Sequence, residues 1–244
     1  SGADQYQSTS FYSFSRLTRS VDALGNVTES EYDSFGRQTA SIGPQVEVNG
    51  KKVRQRTETV YDSQGRTAEQ RSGIIQDESG KNQHDTTQLR RTLYTYDSEN
   101  RVIRTTFNDG SFTQVRYDAQ GRKVAESKPV AVNVQLVWSD TDKSFKNQVG
   151  NQLIPTRLSE YDLDGRMSAV ALPAVLDPLN ANSLVRPRYQ YGYSLSGQQS
   201  LIVDPYGHET RFTFDSLGRQ TSRTLPLGFG VDGKQGTSDD ALAV

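Results

Sequence analysis

The sequence predicts an all-β protein built as an antiparallel sheet of repeated hairpins. Three observations carry this prediction: a six-residue turn motif recurs along the chain, its copies follow a base period of 21 residues, and residue types alternate before each copy. The motif is an aromatic residue, Asp, two variable residues, Gly and Arg, and residues 32–37 form its first full copy. A fixed period of this length is typical of repeat architectures.

Six copies define the structural turn motif. Four are complete, one has Asn in place of Gly, and one has Phe in place of Tyr. The motif residues are Tyr32, Asp33, Gly36 and Arg37; Tyr61, Asp62, Gly65 and Arg66; Tyr96, Asp97, Asn100 and Arg101; Tyr117, Asp118, Gly121 and Arg122; Tyr161, Asp162, Gly165 and Arg166; Phe214, Asp215, Gly218 and Arg219. We interpret each copy as a hairpin tip, in which the aromatic residue ends one strand and the Arg begins the next.

The residue types of the motif explain the turn. An Asp side chain accepts hydrogen bonds from backbone amides of its own turn, and Gly adopts a positive φ without steric cost. Asn is the next most tolerant residue at positive φ. The motif therefore predicts a type I turn closed by a residue at positive φ. The residues expected at positive φ are Gly36, Gly65, Asn100, Gly121, Gly165, Gly197 and Gly218.

Three degenerate copies extend the series to about nine units. They are headed by Phe11, Trp138 and Tyr193, which places the aromatic anchors at 11, 32, 61, 96, 117, 138, 161, 193 and 214. The base period of 21 then carries insertions of 8, 14, 2 and 11 residues. We predict an N-terminal extension or cloning scar at residues 1–10, a repeat strip at 11–225 and a Gly/Asp-rich tail at 226–244.

A second turn divides each short unit. Gly25, Gly110 and Gly207 each lie seven residues before the next aromatic anchor. Two turns in 21 residues leave strands of about six residues, which is the usual length. The insertions are expected to be loops: residues 41–52 as a small extra hairpin, 73–88 as a polar loop with a turn at 77–80, and 172–187 as a proline-containing loop.

In the strand before each tip, charged residues are concentrated at every second position. Among the residues two and four positions before the anchors 32 to 214, one of sixteen is charged, whereas six of the sixteen residues one and three positions before them are charged. Alternation of this kind predicts one packed and one wetter face. We expect the packed face to be the one lined by Thr and aromatic residues, which favour strands.

Composition limits the function classes. The net charge is −1 and gives no overall attraction to nucleic acid, and no apolar run is long enough to span a membrane. Cysteine is absent, so disulfides and thiol chemistry are excluded. Only 33% of the residues are hydrophobic. This favours a wide single sheet with a limited core.

The catalytic residue types are sparse. The two histidines are His84, in a polar insertion, and His208, just after a turn Gly. No nucleophile motif frames either of them. We interpret them as exposed loop histidines and predict no catalytic site.

Two ligand-binding alternatives stay open. Asp232, Asp239 and Asp240 stand among glycines in the tail, and flexible Gly with carboxylate oxygens suits Ca²⁺, although a solvated acidic terminus has the same composition. The motif arginines would line up along the sheet. We favour a structural role in which each pairs with a turn Asp and covers an aromatic ring with its stem. The alternative is a ladder of cations that binds anionic glycans.

Repeated Tyr-Asp-x-x-Gly-Arg, with an Asp-x-x-Gly turn between copies, resembles the Rhs or YD-repeat family. The resemblance covers roughly residues 11–225 and implies a β-strip that curls into part of a larger hollow shell. Members include bacterial polymorphic toxins, the cocoon components of insecticidal toxin complexes and the animal teneurins. The bacterial shells enclose a C-terminal toxic domain. The chain lacks the family's Asp-Pro-containing self-cleavage core, since Asp204-Pro205 lies inside an ordinary repeat, so no protease role carries over.

The resemblance therefore implies a structural repeat segment that helps a shell to encapsulate or deliver a toxin domain, and we expect no catalytic activity. The expected partners are neighbouring repeats and an enclosed toxin domain, and the expected location is secreted or on the cell surface, as part of a larger protein. The alternative function is an extracellular adhesion module that recognises a glycan or a cell-surface protein through the strip or its inserted loops. No cofactor is expected apart from the Ca²⁺ alternative.

Overall fold

The computed structural model describes residues 8–77, 79–84, 89–150, 152–177, 183–226 and 242–243. Regular secondary structure in these ranges consists of β-strands, almost all in antiparallel pairs, which confirms the predicted fold class. In the same ranges, no helix is long and apolar enough to cross a membrane. The chain divides into two compact units, residues 1–113 and 114–244.

The first unit is a meander of antiparallel strands. Its strands are β1 (Thr9–Ser13), β2 (Arg16–Val21), β3 (Val27–Tyr32), β4 (Gln38–Val48), β5 (Lys51–Tyr61), β6 (Thr67–Asp77), β7 (Asn82–His84), β8 (Arg90–Tyr96) and β9 (Val102–Thr106). Strands β1 to β6 pair in chain order, β6 pairs with both β7 and β8, and β8 pairs with β9. Each hairpin therefore adds directly to the one before it.

The second unit repeats this arrangement with two inserted hairpins. Its sheet consists of β10 (Phe112–Tyr117), which begins two residues before the unit boundary, β11 (Lys123–Ser127), β14 (Thr156–Tyr161), β15 (Met167–Ala171), β18 (Arg188–Tyr193), β19 (Gln199–Val203), β20 (Glu209–Phe214) and β21 (Gln220–Pro226). These strands pair in that order. The inserted hairpins are β12 (Leu136–Ser139) with β13 (Ser144–Asn147) and β16 (Val175–Leu176) with β17 (Leu184–Val185), and the short β22 (Leu242–Ala243) pairs with the end of β21.

The register between consecutive hairpins is constant. The residue three positions after the motif Arg, or after Gln198 in the degenerate copy, lies opposite the residue three positions before the next aromatic. The six pairs are Arg19 with Glu29, Ala40 with Glu58, Glu69 with Leu93, Ala125 with Leu158, Ala169 with Gln190 and Leu201 with Arg211. Insertions change the length of a hairpin but leave this register unchanged.

Two of the degenerate units differ from the prediction. Trp138 was expected to head a step of the strip, but it lies in the separate β12–β13 hairpin. The first hairpin closes through Phe14 and Ser15, both at positive φ, and places Tyr12 rather than Phe11 opposite Leu17. A two-residue turn needs positive φ at both positions, which the spacing of aromatic residues does not reveal.

The predicted choice of packed face is wrong. Ala40 and Ile42 are nearly inaccessible, and they lie opposite Glu31 and Glu29, on the face expected to be wetter. In the second unit, buried Ala169 likewise lies opposite Glu160. The prediction failed because the charged side chains on this face neutralise one another and cover small apolar residues.

The insertions mostly extend the hairpins. Residues 41–52 lengthen β4 and β5, which meet at a two-residue turn with Asn49 and Gly50 at positive φ. In the 73–88 insertion, β6 continues to Asp77, and the predicted turn follows, with Gly80 at a φ of 79°. The described part of 172–187 forms the β16–β17 hairpin. The extra residues of the first two insertions therefore continue the ladder of backbone hydrogen bonds.

Candidate functional site

Each motif copy folds into the same five-residue loop, which we call a tip turn. At residues 33–37, the amide of Asp33 donates to the carbonyl of Arg37 and the amide of Gly36 donates to the carbonyl of Asp33. Asp33 Oδ1 accepts hydrogen bonds from the amides of Phe35 and Arg37, at 3.0 and 2.9 Å. Asp33 Oδ2 accepts from Arg37 Nε at 2.7 Å. The carboxylate of Asp33 therefore closes the loop and also holds the side chain of Arg37, the last residue of the loop.

The expected positive φ angles are all confirmed, at 63° for Asn100 and between 79° and 87° for the six glycines. The Asp–Arg pair recurs at 2.7–2.8 Å in the other five motif copies. The degenerate copy after Tyr193 keeps the loop with Ser194 and Gln198 in the Asp and Arg places. The structure therefore places the motif residues in one repeated role at the tips.

The same loop also forms the turns between hairpins, which we call return turns. They begin at Asp22, Phe107 and Asp204, and a further copy begins at Asp77 in the extended β6–β7 hairpin. At two of these turns Asn26 and His208 take the place of the Arg. His208 Nδ1 lies 2.7 Å from Asp204 Oδ2, so this histidine is part of a turn.

In four of the six motif copies, the arginine of the tip turn also contacts the next hairpin. The guanidinium of Arg37 lies over the ring of Tyr61, 4.4 Å from its centroid, and the Tyr61 hydroxyl donates to the carbonyl of Gln38 at 2.9 Å. Four further pairs show the same arrangement, with ring distances of 4.4–5.9 Å: Arg16 with Tyr32, Arg66 with Tyr96, Arg122 with Tyr161 and Arg166 with Tyr193. In all four the tyrosine hydroxyl donates to the carbonyl of the residue after the Arg. We call this repeated Arg–Tyr contact the seam.

Glycine has a second role at the seam. A Cβ at Gly36 would lie 2.7 Å from the guanidinium carbon of Arg16, and a Cβ at Gly65 would lie 3.2 Å from Arg37 Nη1. Both glycines also have positive φ. The tip glycine therefore permits the turn and leaves room for the arginine of the preceding hairpin.

Hydrogen bonding controls the charge state of the turn carboxylates. Desolvation raises the pKa of Asp33, but the backbone and side-chain hydrogen bonds from Arg37 outweigh it and leave the pKa below the ordinary value. The pKa values of Asp62, Asp97, Asp118 and Asp162 are lowered by the same balance. The turn aspartates are therefore fixed anions paired with cations, which supports the structural interpretation of the motif arginines.

A charged cluster on the first unit was missed from the sequence. Arg56 is only 8% exposed and donates to Glu31 at 2.7 and 2.6 Å and to Glu58 at 2.9 Å. Glu69 is 7% exposed and accepts from Arg71 at 2.7 Å and from Arg91 at 2.5 Å. The hydrogen bonds from Arg71 and then Arg91 lower the pKa of Glu69 to about 2. The signal in the sequence was opposite charges at a period of two on consecutive strands.

The inserted β12–β13 hairpin forms a pocket of about 370 Å³ against the sheet of the second unit. Trp138 lines it, with the guanidinium of Arg116 over its ring, 4.7 Å from the centroid. The indole N–H donates to Asp140 at 2.9 Å, and Leu158 contributes an apolar wall. An aromatic ring beside groups of both charges is suited to a polar ligand with an apolar face.

The predicted Ca²⁺ ligands and one of the two histidines lie outside the part of the chain that the structure describes. Asp232, Asp239 and Asp240 lie outside the described residues, and so does the side chain of His84. Within the described residues, no group of three or more His, Cys, Asp or Glu side chains could hold a metal ion.

Comparisons with known proteins give one family match and several structural alignments. The RHS Repeat family matches residues 13–45 and 96–130. The search of curated proteins found no match. A crystal structure of TcdB2-TccC3-Cdc42 aligns with 98% of this chain at 12% identity and a TM-score of 0.42, and a crystal structure of TcdB2-TccC3 aligns with 91% at 14% identity and a TM-score of 0.42.

A Photorhabdus luminescens Tc holotoxin pore aligns with 93% of the chain at 14% identity and a TM-score of 0.29. The alignments cover 14%, 13% and 15% of these three longer chains. The two repeat matches include the tip turns at 33–37, 97–101 and 118–122, whose loops are identical to those outside the matched segments. The comparisons therefore show RHS repeats at residues 13–45 and 96–130 of the chain.

Proposed function

We propose that this chain is a wall segment of a β-shell that encapsulates or delivers a toxin domain, as a secreted or surface-located part of a larger protein, and that it has no catalytic activity of its own. The observation that carries the proposal is the constant seam. The same Arg–Tyr contact and the same strand register join hairpins of different lengths. A joint that does not depend on hairpin length lets a sheet grow by repetition, as in other repeat arrays.

The side chains of the sheet also suit a wall. The buried side chains include small residues such as Ala40, Ala125 and Ala169. They also include Arg56 and Glu69, each of which forms ion pairs with charged side chains beside it. A sheet of this kind holds its shape through backbone and seam contacts with few large core residues. It can therefore present a polar surface to a lumen as well as to solvent.

Protease protection in the parent protein tests this role. Deleting residues 156–193, which removes the β14–β15 hairpin with Arg166 and the strand β18 that ends in Tyr193, should expose the domain that follows the repeats to limited proteolysis. Leu24→Ser, at a return-turn residue that is 79% exposed, is the matched control and should leave protection unchanged. Equal protection of the deleted and intact proteins would contradict the proposal.

A second candidate function is recognition of a glycan or a cell-surface protein, and the Trp138 pocket favours it. Trp138 is the only tryptophan of the chain, so its fluorescence reports on this pocket alone. Titration with soluble oligosaccharides should change the emission, and Glu160→Gln, at the polar rim of the pocket, should weaken the response. Unchanged emission at millimolar oligosaccharide would argue against a glycan site.

Calcium binding by the tail is proposed for Asp232, Asp239 and Asp240. Isothermal titration of the chain with Ca²⁺ should show a binding heat, and the Asp239→Ala variant should no longer show it. No heat at millimolar Ca²⁺ would leave the tail as a solvated acidic segment.

A further inference from the structure

We propose that the pocket beside Trp138 binds a carboxylate-bearing sugar, with the carboxylate held between Arg116 and Lys143. The inference rests on the second candidate function, which places a ligand site at this pocket. It goes further by naming the chemical class of the ligand and the residues that select it. The pocket lies wholly within the second unit, and its volume of about 370 Å³ falls in the range of about 300–1,000 Å³ that is usual for small-molecule sites.

Three carboxylates line the pocket, and two of them already have a close cationic partner. Asp118 accepts a hydrogen bond from Arg122 at 2.7 Å in its tip turn. Glu160 accepts one from Arg188, also at 2.7 Å. Each of these ion pairs is neutral as a whole. The charge that the pocket offers to a ligand therefore depends on its third carboxylate, Asp140, and on its two cations.

Asp140 holds both cations of the pocket only loosely. Arg116 Nη1 and Lys143 Nζ lie 3.6 and 3.7 Å from Asp140 Oδ1, which is too long for a hydrogen bond. The same oxygen already accepts the indole N–H of Trp138 at 2.9 Å. A guanidinium has five N–H donors and an ammonium has three, so both groups keep donors for a ligand. Two cations against one carboxylate also leave the pocket with an excess of one positive charge.

The backbone at Lys143 supports a role for its ammonium. Lys143 is the last residue of the loop between Ser139 and Ser144, and its φ of 47° lies in the left-handed region, where Gly is the default residue. Residues held in such sparsely populated regions cluster at ligand sites. The side chain of Lys143 is 64% exposed and lines the pocket. The loop therefore has a lysine where its backbone favours glycine, and that lysine brings a positive charge to the pocket.

The other groups of the pocket fit a sugar ring. Trp138 contributes an indole ring and Leu158 an apolar wall, against which the C–H groups of a sugar can pack. Glu160 uses Oε2 for its hydrogen bond with Arg188, so Oε1 can accept a hydrogen bond from a ligand hydroxyl, and Ser159 adds a hydroxyl of its own. A uronic acid combines a carboxylate for the two cations, hydroxyls for these acceptors and C–H groups for the indole. It therefore matches the pocket better than a neutral sugar.

Titration of the whole chain with a matched pair of sugars tests the ligand class. The probes are digalacturonic acid and the neutral disaccharide of galactose with the same linkage, and the fluorescence of Trp138 reports binding. The acid should bind saturably and at least about tenfold more tightly than the neutral sugar at low salt. Raising the salt to about 0.5 M should weaken binding of the acid alone, because salt screens the attraction between exposed charges.

Variants at position 143 separate the charge from the backbone conformation. Lys143→Gly removes the ammonium and suits the positive φ, so the fold should be retained while binding of the acid weakens about three- to tenfold. Lys143→Arg keeps the charge and should keep the affinity for the acid. Lys51→Ala, at an exposed lysine of the first unit, is the matched control for the loss of one positive charge and should leave binding unchanged.

Equal affinities for the two sugars would overturn the inference, and so would binding of the acid that Lys143→Gly leaves unchanged. Either result would leave a glycan site at Trp138 in place. Binding of neither sugar at millimolar concentration, by fluorescence and by isothermal titration, would overturn the inference and the glycan site together. The wall function does not depend on this pocket and is tested separately by protease protection.

Discussion

Tip turns and return turns use the same loop, but among the described contacts only the arginine of a tip turn also packs on a tyrosine of the next hairpin. Gly36 at a tip and Gly25 at a return turn have φ angles of 87° and 82°. Asp33 and Asp22 each accept two backbone amides on Oδ1, and each accepts the side chain of the fifth residue on Oδ2, which is Arg37 in one case and Asn26 in the other. The turn itself therefore does not require arginine.

The difference between the two kinds of turn is the reach of that fifth residue. The described contact of the Asn26 side chain is its hydrogen bond to Asp22, within the same turn. The side chain of Arg37, in contrast, also lies over the ring of Tyr61 in the next hairpin. The strand before the return turn at 22–26 ends in Val21, whereas the strand before the tip turn at 33–37 ends in Tyr32. The motif is therefore a turn signal combined with a joining signal, and the two parts can be separated by mutation.

Lowering the pH should cause the largest loss in the free energy of unfolding, because acid protonates the carboxylates of both kinds of turn at once. Hydrogen bonds hold the pKa values of Asp33 and Asp22 below the ordinary value, and Glu69 is held at about 2. A carboxylate with a lowered pKa in the folded state stabilises the fold above its unfolded pKa and loses that contribution as the pH falls toward the folded pKa. For Glu69 the full contribution is about 3 kcal/mol, of which about 2 kcal/mol is lost by pH 3.

Urea unfolding between pH 7 and pH 3 measures this loss. Stability should be level above about pH 5 and should fall below it. Glu69→Gln should be less stable at pH 7 but should show a shallower fall, because the strongest titrating group of the charged cluster is gone. A flat profile down to pH 3 would show that the carboxylate contacts contribute little.

Removing a tyrosine at a tip turn should destabilise the fold more than removing a tyrosine at a return turn. Tyr61→Ala removes a half-buried ring, the cation–π contact with Arg37 and the hydrogen bond to Gln38, for an expected loss of about 2–3 kcal/mol. Tyr206→Ala, at a return-turn residue that is 74% exposed, is the control and should cost less than about 0.5 kcal/mol. Chemical denaturation would measure both, and equal losses would refute a specific role for the tip tyrosine.

The two glycines make a closer comparison. Gly36→Ala and Gly25→Ala place a Cβ at nearly the same positive φ, so each should cost about 1 kcal/mol in backbone strain. Nothing lies within 4 Å of the new Cβ at Gly25, whereas at Gly36 it meets the guanidinium of Arg16. We expect Gly36→Ala to cost about 1 kcal/mol more than Gly25→Ala, since Arg16 must move and lose its contact with Tyr32. A thermal melt with equal shifts would rule out the packing role.

The local turn was predictable from the sequence, and the contacts between hairpins were not. Asp33, Gly36 and Asn100 act within five residues, so their chemistry appears in the motif itself. The contact of Arg37 with Tyr61 depends on strand register. The sequence shows an arginine and an aromatic residue in each of the six copies, but it does not say which arginine meets which aromatic ring.

The packed face was mispredicted for a related reason. Charge was taken as a sign of solvent exposure, but Arg56 and Glu31 satisfy each other across strands and become part of the covered face. Pairing of this kind depends on which strands are neighbours. Trp138 was misplaced because a hairpin outside the sheet can have the same spacing as a hairpin within it.

The smallest expected effect comes from exchanging the fifth residue of a tip turn. Arg37→Asn installs the residue of the return turn at 22–26, so Asp33 can keep a side-chain partner as Asp22 does. The turn should form, and only the contact with Tyr61 should be lost, at a cost of about 1 kcal/mol. Arg37→Ala should cost more, because Asp33 Oδ2 then loses its partner as well. If Arg37→Asn and Arg37→Ala unfold at the same urea concentration, the arginine does not have two separable roles.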